Sequence, residues 1–170
     1  MKAIFKSGIF MLFLSFSLTS HSQNIEHLMC GDYWATVPFT DFCTINPSHF
    51  DYRGTNDICH ADSNESYPYD ELIYIMVYND FDEAGAMEEY LQMKSDSENL
   101  AEYVELSDIG DAAYALLEIE FGKLDSVIIE AVKGIYSIRI EVNGNSANNS
   151  NNCFSQTSVF DFARAVVEQL

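Results

Sequence analysis

The sequence predicts an α+β fold, with a largely antiparallel sheet of about five strands, one mid-chain helix, and a C-terminal helix packed on the sheet. Three observations carry this. Runs of β-branched and aromatic residues between 103 and 142 are joined by connections too short for anything but antiparallel neighbours. Segments opening at Asp80 and at Ser158 space their apolar residues with a helical period. The last strand-like run alternates strictly, so one of its faces is buried and requires a cover.

The chain of 170 residues opens with Lys2 and Lys6, an apolar run from Ile9 to Phe16 extended by Leu18, and the small-residue site Ser20-His21-Ser22 before Gln23. That is the plan of a cleavable secretory signal over residues 1–22. The apolar run is too short for a permanent span, and no second stretch of about 20 apolar residues follows. Residues 23–170 then read as one acidic α+β domain, expected to be exported to the periplasm or the extracellular space.

Residues 23–70 read as an irregular, cysteine-containing part, broken by Gly31, Pro38, Pro47, Gly54 and Pro68. Within it, 47–52 suggests a helical turn and 57–60 a short strand. From 71 to 78 the run Leu-Ile-Tyr-Ile-Met-Val-Tyr is apolar on both alternating faces and predicts a central strand. Asp80 as N-cap with Glu83 three residues on, followed by Ala84, Met87, Tyr90 and Leu91, predicts a helix ending near Lys94. Strands follow over 103–106, 113–120, 126–132 and 135–142. In the last, Ile138, Ile140 and Val142 alternate with Ser137, Arg139 and Glu141. A polar loop over 143–152, six of its ten residues asparagine, leads to the final helix. There Ser158 caps, Asp161 sits at the third position, and Val159, Phe162, Ala163, Val166, Val167 and Leu170 form one stripe.

Charge bounds function. The formal charge is −19 with 8 basic and 27 acidic residues. Loss of the signal removes Lys2 and Lys6 and no acid, leaving 6 basic against 27 acidic residues and a charge of −21. The acids are spread along the chain, as on a solvated surface. This balance argues against nucleic acid, whose phosphates need clustered Lys and Arg, and against anionic membrane surfaces. It admits a cationic partner, whether a basic protein or a divalent metal.

Four cysteines in an exported chain predict two disulfides, with three connectivities open. The preferred pairs are Cys43 with Cys59, closing a short loop, and Cys30 with Cys153, tying the N-terminal arm to the last helix. A zinc site built from His27, Cys30, Cys43, His49, Cys59 and His60 is disfavoured, because their spacings lack the paired C-x-x-C form.

Templates for chemistry fail in turn. Gly144-Asn145-Ser146-Ala147-Asn148 lacks the second glycine of a nucleophile elbow. There is no Walker loop, dinucleotide fingerprint or H-E-x-x-H. Asp80-Phe81-Asp82-Glu83-Ala84-Gly85 begins like a calcium loop, but Ala84 and Leu91 stand where ligands are needed. His27, His49 and His60 have no visible orienting partner. No cofactor and no catalytic residue is assigned. Trp34, Tyr67 and Tyr69, with Asp70 beside them, are expected in irregular segments as an aromatic and acidic contact patch.

The order of elements from residue 71 onward, with Gly110-Asp111-Ala112-Ala113-Tyr114 opening a strand meander before an apolar terminal helix, resembles small exported domains of PsbP-like type. The resemblance covers roughly residues 40–170, including Cys43 and Cys59. It implies binding and assembly roles more than shared catalysis and transfers no site residue. The leading expectation is a non-enzymatic extracytoplasmic binding module recognising a basic protein, in the manner of an inhibitor or immunity protein. The alternatives are a metal-dependent hydrolase with carboxylates assembled by the fold, and a structural or assembly component of the cell envelope.

Overall fold

The computed structural model describes residues 27–144 and 151–170. The expected signal over 1–22 lies outside the described residues, as do 145–150 of the asparagine-rich loop. The fold is α+β. One antiparallel sheet is built from β1 (Phe50–Thr55), β2 (Ile58–Ser63), β3 (Leu72–Asn79), β4 (Tyr103–Leu106), β5 (Ala112–Glu120), β6 (Lys123–Lys133) and β7 (Tyr136–Asn143). Its spatial order is β1-β2-β3-β7-β6-β5-β4. The helices are α1 (Cys30–Thr36), α2 (Glu83–Ser97) and α3 (Gln156–Val167), with 3₁₀ turns at Phe39–Asp41 and Pro47–His49.

Seven strands and three helices correct the expectation of about five strands and two helices. The additions lie in the stretch expected to be irregular. β1 was illegible because it is an edge strand with five of six residues exposed, so no alternation of burial marks it.

The first face of the sheet carries the main core. Cys59, Ala61, Ile73, Ile75, Val77, Ile138, Ile140, Val142, Val127 and Ile129 are all buried there. α3 covers this face with Val159, Phe162, Ala163, Val166 and Val167, the stripe its period predicts. Phe39, Phe42 and Phe154 close around Phe162, with ring centroids 5.1–6.2 Å apart. α1 joins through Tyr33, whose hydroxyl donates to the Val166 carbonyl at 3.0 Å.

Helix starts shift by a few residues from the sequence expectation. α2 is capped by Asp82, which accepts from Gly85 N at 3.1 Å. Asp80 instead accepts from Ser137 Oγ at 2.6 Å. α3 is capped by Ser155 in a reciprocal box with Ser158, the residue expected to be the cap. In both places two side chains able to cap lie within one turn, and packing chooses between them.

The disulfides pair Cys30 with Cys59 and Cys43 with Cys153, at Cα separations of 5.2 and 5.8 Å. All four cysteines are bridged as expected, but the preferred pairing is overturned. The β1–β2 hairpin turns Cys59 onto the first face beside α1, where Cys30 stands. Cys43, past the 3₁₀ turn, is left to meet Cys153 just ahead of α3.

The Gly110-Asp111 turn is tertiary. Asp111 N donates to the Val132 carbonyl at 2.8 Å, and Asp111 Oδ2 accepts from Gly134 N at 2.7 Å. Gly110 has φ +60°, and a Cβ there would lie 2.4 Å from the Val132 oxygen. Gly110→Ala is therefore expected to cost about 2 kcal/mol or more, from left-handed strain plus a backbone clash. The check is the urea midpoint; an unchanged midpoint would rule out this close approach.

Candidate functional site

The site is formed by the second face of the sheet. β3 ends near the middle of the sheet and β4 forms the far edge, so α2 must cross this face to connect them. It does so over β6 and β7, packing Ala86 and Tyr90 against Tyr114 and Val132. The half of the face over β1, β2 and β3 has no helix on it among the described residues. There Ile58, Leu72 and Tyr78 are exposed, Leu72 at 66%. Apolar residues on both faces of β3 thus serve two purposes, one face in the core and the other partly open.

Register sets the chemistry of this face. One row runs Arg53, His60, Met76, Arg139, Glu130, Tyr114 and Glu105 across the sheet. The next row brings Asp51, Asp62, Tyr74 and Glu141 alongside. Arg53 Nη2 donates to Asp62 Oδ2 at 2.6 Å, and His60 Nδ1 lies 2.8 Å from the Tyr74 hydroxyl. Arg139 donates from Nη1 to Glu130 and from Nε to Glu141.

Between α2 and the sheet this face forms a cleft of about 340 Å³. Met76 and Tyr78 of β3, Glu89 and Met93 of α2, Glu130 of β6, and Ser137 and Arg139 of β7 line it. Glu130 is only 4% exposed. Desolvation pushes its carboxyl up from 4.5 to about 7, because burial and the charges of Glu141 and Glu89 outweigh the pull of Arg139. Asp80, behind Ser137, is also raised by desolvation, which its bond from Ser137 only partly offsets.

These shifts carry a stability consequence. A carboxyl raised in the fold binds more protons than in the unfolded chain, so its contribution is complete below about pH 4.5 and lost as pH rises through about 7. The wild type is expected to lose about 3 kcal/mol across that window relative to Glu130→Gln. Urea titrations of both proteins at several pH values give the difference; parallel profiles would contradict a buried, raised Glu130.

A carboxyl near 7 in a cleft is a group able to move protons. Ser137, the hydroxyl beside it, donates to Asp80, and His60, the imidazole on this face, is engaged by Tyr74. Among the described residues no group of three or more His, Cys, Asp or Glu is placed to hold a metal ion. The face carries the carboxylates of Asp51, Asp62, Glu130 and Glu141 with the guanidinium groups of Arg53 and Arg139, set among methionine and tyrosine side chains.

Of the expected contact patch, Trp34 and Tyr67 are buried. Trp34 lies in α1 and is 5% exposed, and Tyr67 is 9% exposed with its hydroxyl donating to Glu71 at 2.8 Å. Tyr69 is half-buried beside Tyr67, their ring centroids 5.7 Å apart. Asp70 is exposed and accepts from Asn152 Nδ2 at 2.8 Å. Burial thus removes Trp34 and Tyr67 from the surface. Trp34 does line a second groove, of about 550 Å³, with Cys30, Pro47, Tyr52 and Arg53. Sequence reasoning passed over Glu130. The signal was a single acid inside the apolar run Val127–Val132.

Comparison of the chain with protein-family models, with curated proteins and with solved structures finds no match.

Proposed function

We propose that the protein is a non-enzymatic extracytoplasmic binding module that takes a basic protein segment against the open half of its second sheet face. The observation that carries this reading is the charge of that face. Asp51 and Asp62 lie on the open half with Arg53, and Asp80, Glu89, Glu130 and Glu141 adjoin it around Arg139. Exposed Ile58, Leu72 and Tyr78 add apolar contact area. Acidic surface steers a cationic partner in, and aromatic and apolar side chains hold it once docked. An inhibitor or immunity role against a basic enzyme or toxin is the specific form we favour. The PsbP-like resemblance agrees with it, since that group is rich in binding and assembly factors.

Export belongs to the same reading. Two disulfides fit an oxidising compartment, and among the described residues no helix is long and apolar enough to cross a membrane.

The test is capture of basic proteins by the immobilised protein and by an Asp51→Lys, Asp62→Lys variant. Retention at about 20 mM salt, loss near 300 mM, and loss in the variant are expected, since screening shortens from roughly 20 Å to 6 Å over that range. If nothing basic is retained at the lower salt, the electrostatic reading falls.

A further inference from the structure

We infer that the cleft between α2 and the sheet is an anchor slot for one lysine side chain of the partner, its stem lying along Met76, Tyr78 and Met93 and its ammonium held by Glu89 and Glu130. This rests on the reading of the protein as a binder of basic proteins and names the side chain it reads.

The slot has the two-part chemistry of a lysine. Methionine and tyrosine give a long methylene stem adaptable apolar walls. The carboxylates give its head an acceptor at each level. Glu130 is buried, while Glu89, which lines the cleft from α2, is exposed. Arg139 engages Glu130 through Oε1 and Glu141 through Oε1, and no hydrogen bond reaches Oε2 of Glu130 among the described residues. A single acceptor oxygen suits a compact ammonium. The planar fork of a guanidinium seeks both oxygens of one carboxylate, and Oε1 of Glu130 is already occupied by Arg139.

The charges around the slot favour an added cation. Glu130 faces Arg139 and Glu141 from β7, Glu89 from α2, and the Tyr114 ring from β5. Arg139 alone does not offset the burial of Glu130, whose carboxyl stays raised. An ammonium arriving beside it favours the ionised form, so binding near neutral pH releases part of a proton.

The experiment is calorimetric titration of the disulfide-bonded protein with tetralysine at about 20 mM salt, at pH 7, in two buffers of different ionisation enthalpy. Tetralysine is expected to bind more tightly than tetra-arginine, with proton release that Glu130→Gln abolishes. Glu130→Gln and Glu89→Gln are expected to weaken binding about tenfold and about threefold, and Met93→Lys, which supplies its own ammonium, to block it. Glu89 is exposed, so its variant keeps the test valid should a change at Glu130 disturb the fold. Asp161→Asn, on α3 away from the face, is expected to leave binding unchanged. If basic proteins are captured yet tetralysine binding ignores Glu89, Glu130 and Met93, the slot is wrong and the broader reading stands. If neither tetralysine nor any basic protein binds, both fall together.

Discussion

Replacing Cys43 and Cys153 together with serine is expected to lower the unfolding free energy by about 5 kcal/mol, the largest loss from removing either bridge. The two residues are 110 apart in sequence, against 29 for Cys30 and Cys59. In the loop-entropy account the longer loop restrains the unfolded chain more, giving about 4.8 kcal/mol against about 3.6. The bridge also anchors the start of α3, whose Phe162 and Val166 are wholly buried. A marginal domain can lose its fold outright on a change of this size. Urea unfolding of the two double-serine proteins and of the wild type supplies the ranking. If loss of Cys30–Cys59 proves the costlier, native-state contacts rather than loop length govern these bridges.

The meander from β5 to β7 was legible because short turns and period-two patterning agree there. The β5–β6 turn places Phe121 and Gly122 at φ +50° and +76°, and the β6–β7 turn has Gly134 at +56°. These are the positive values that two-residue hairpins need. The second turn also fixes the pairing of Glu130 with Arg139, so the cleft's central ion pair is a product of register. A lone acid within Val127–Val132 could be noticed in sequence, but its partner could not be named until the strands were paired. The N-terminal third resisted for a different reason. α1 has seven residues, too few for a period to show, and its burial of Trp34 depends on packing against distant segments. The disulfide pairing failed with it, because which cysteines meet is decided by the β1–β2 hairpin. The uncovered half-face has a similar origin. That β3 is apolar on both sides was plain, whereas the path of α2, which decides what remains open, follows from strand order.

Glu71→Ala is expected to cost about 3–5 kcal/mol, the heaviest effect of any single substitution considered. Glu71 immediately precedes β3 and is 0% exposed. Its carboxylate accepts from the Tyr67 hydroxyl at 2.8 Å, from Asn152 N at 3.0 Å and from Cys153 N at 3.1 Å. Burial, reinforced by the charge of Glu71, raises the Tyr67 hydroxyl so that it remains a donor. Truncation would strand three donors, the buried Tyr67 hydroxyl and the part-buried amides of Asn152 and Cys153, and cut the polar tie between β3 and the segment leading into α3. Glu71→Gln keeps the volume but turns one acceptor oxygen into an NH₂ facing donors, so most of the loss is expected to persist. Because the Cys43–Cys153 bridge holds the same segment, the two ties are not independent. With the bridge gone, 151–154 is already looser, and Glu71→Ala is expected to cost about 1–2 kcal/mol less than in the bridged protein. Denaturant unfolding of the four proteins of this double-mutant cycle measures that coupling. Strict additivity would show that Glu71 and the disulfide brace the approach to α3 separately.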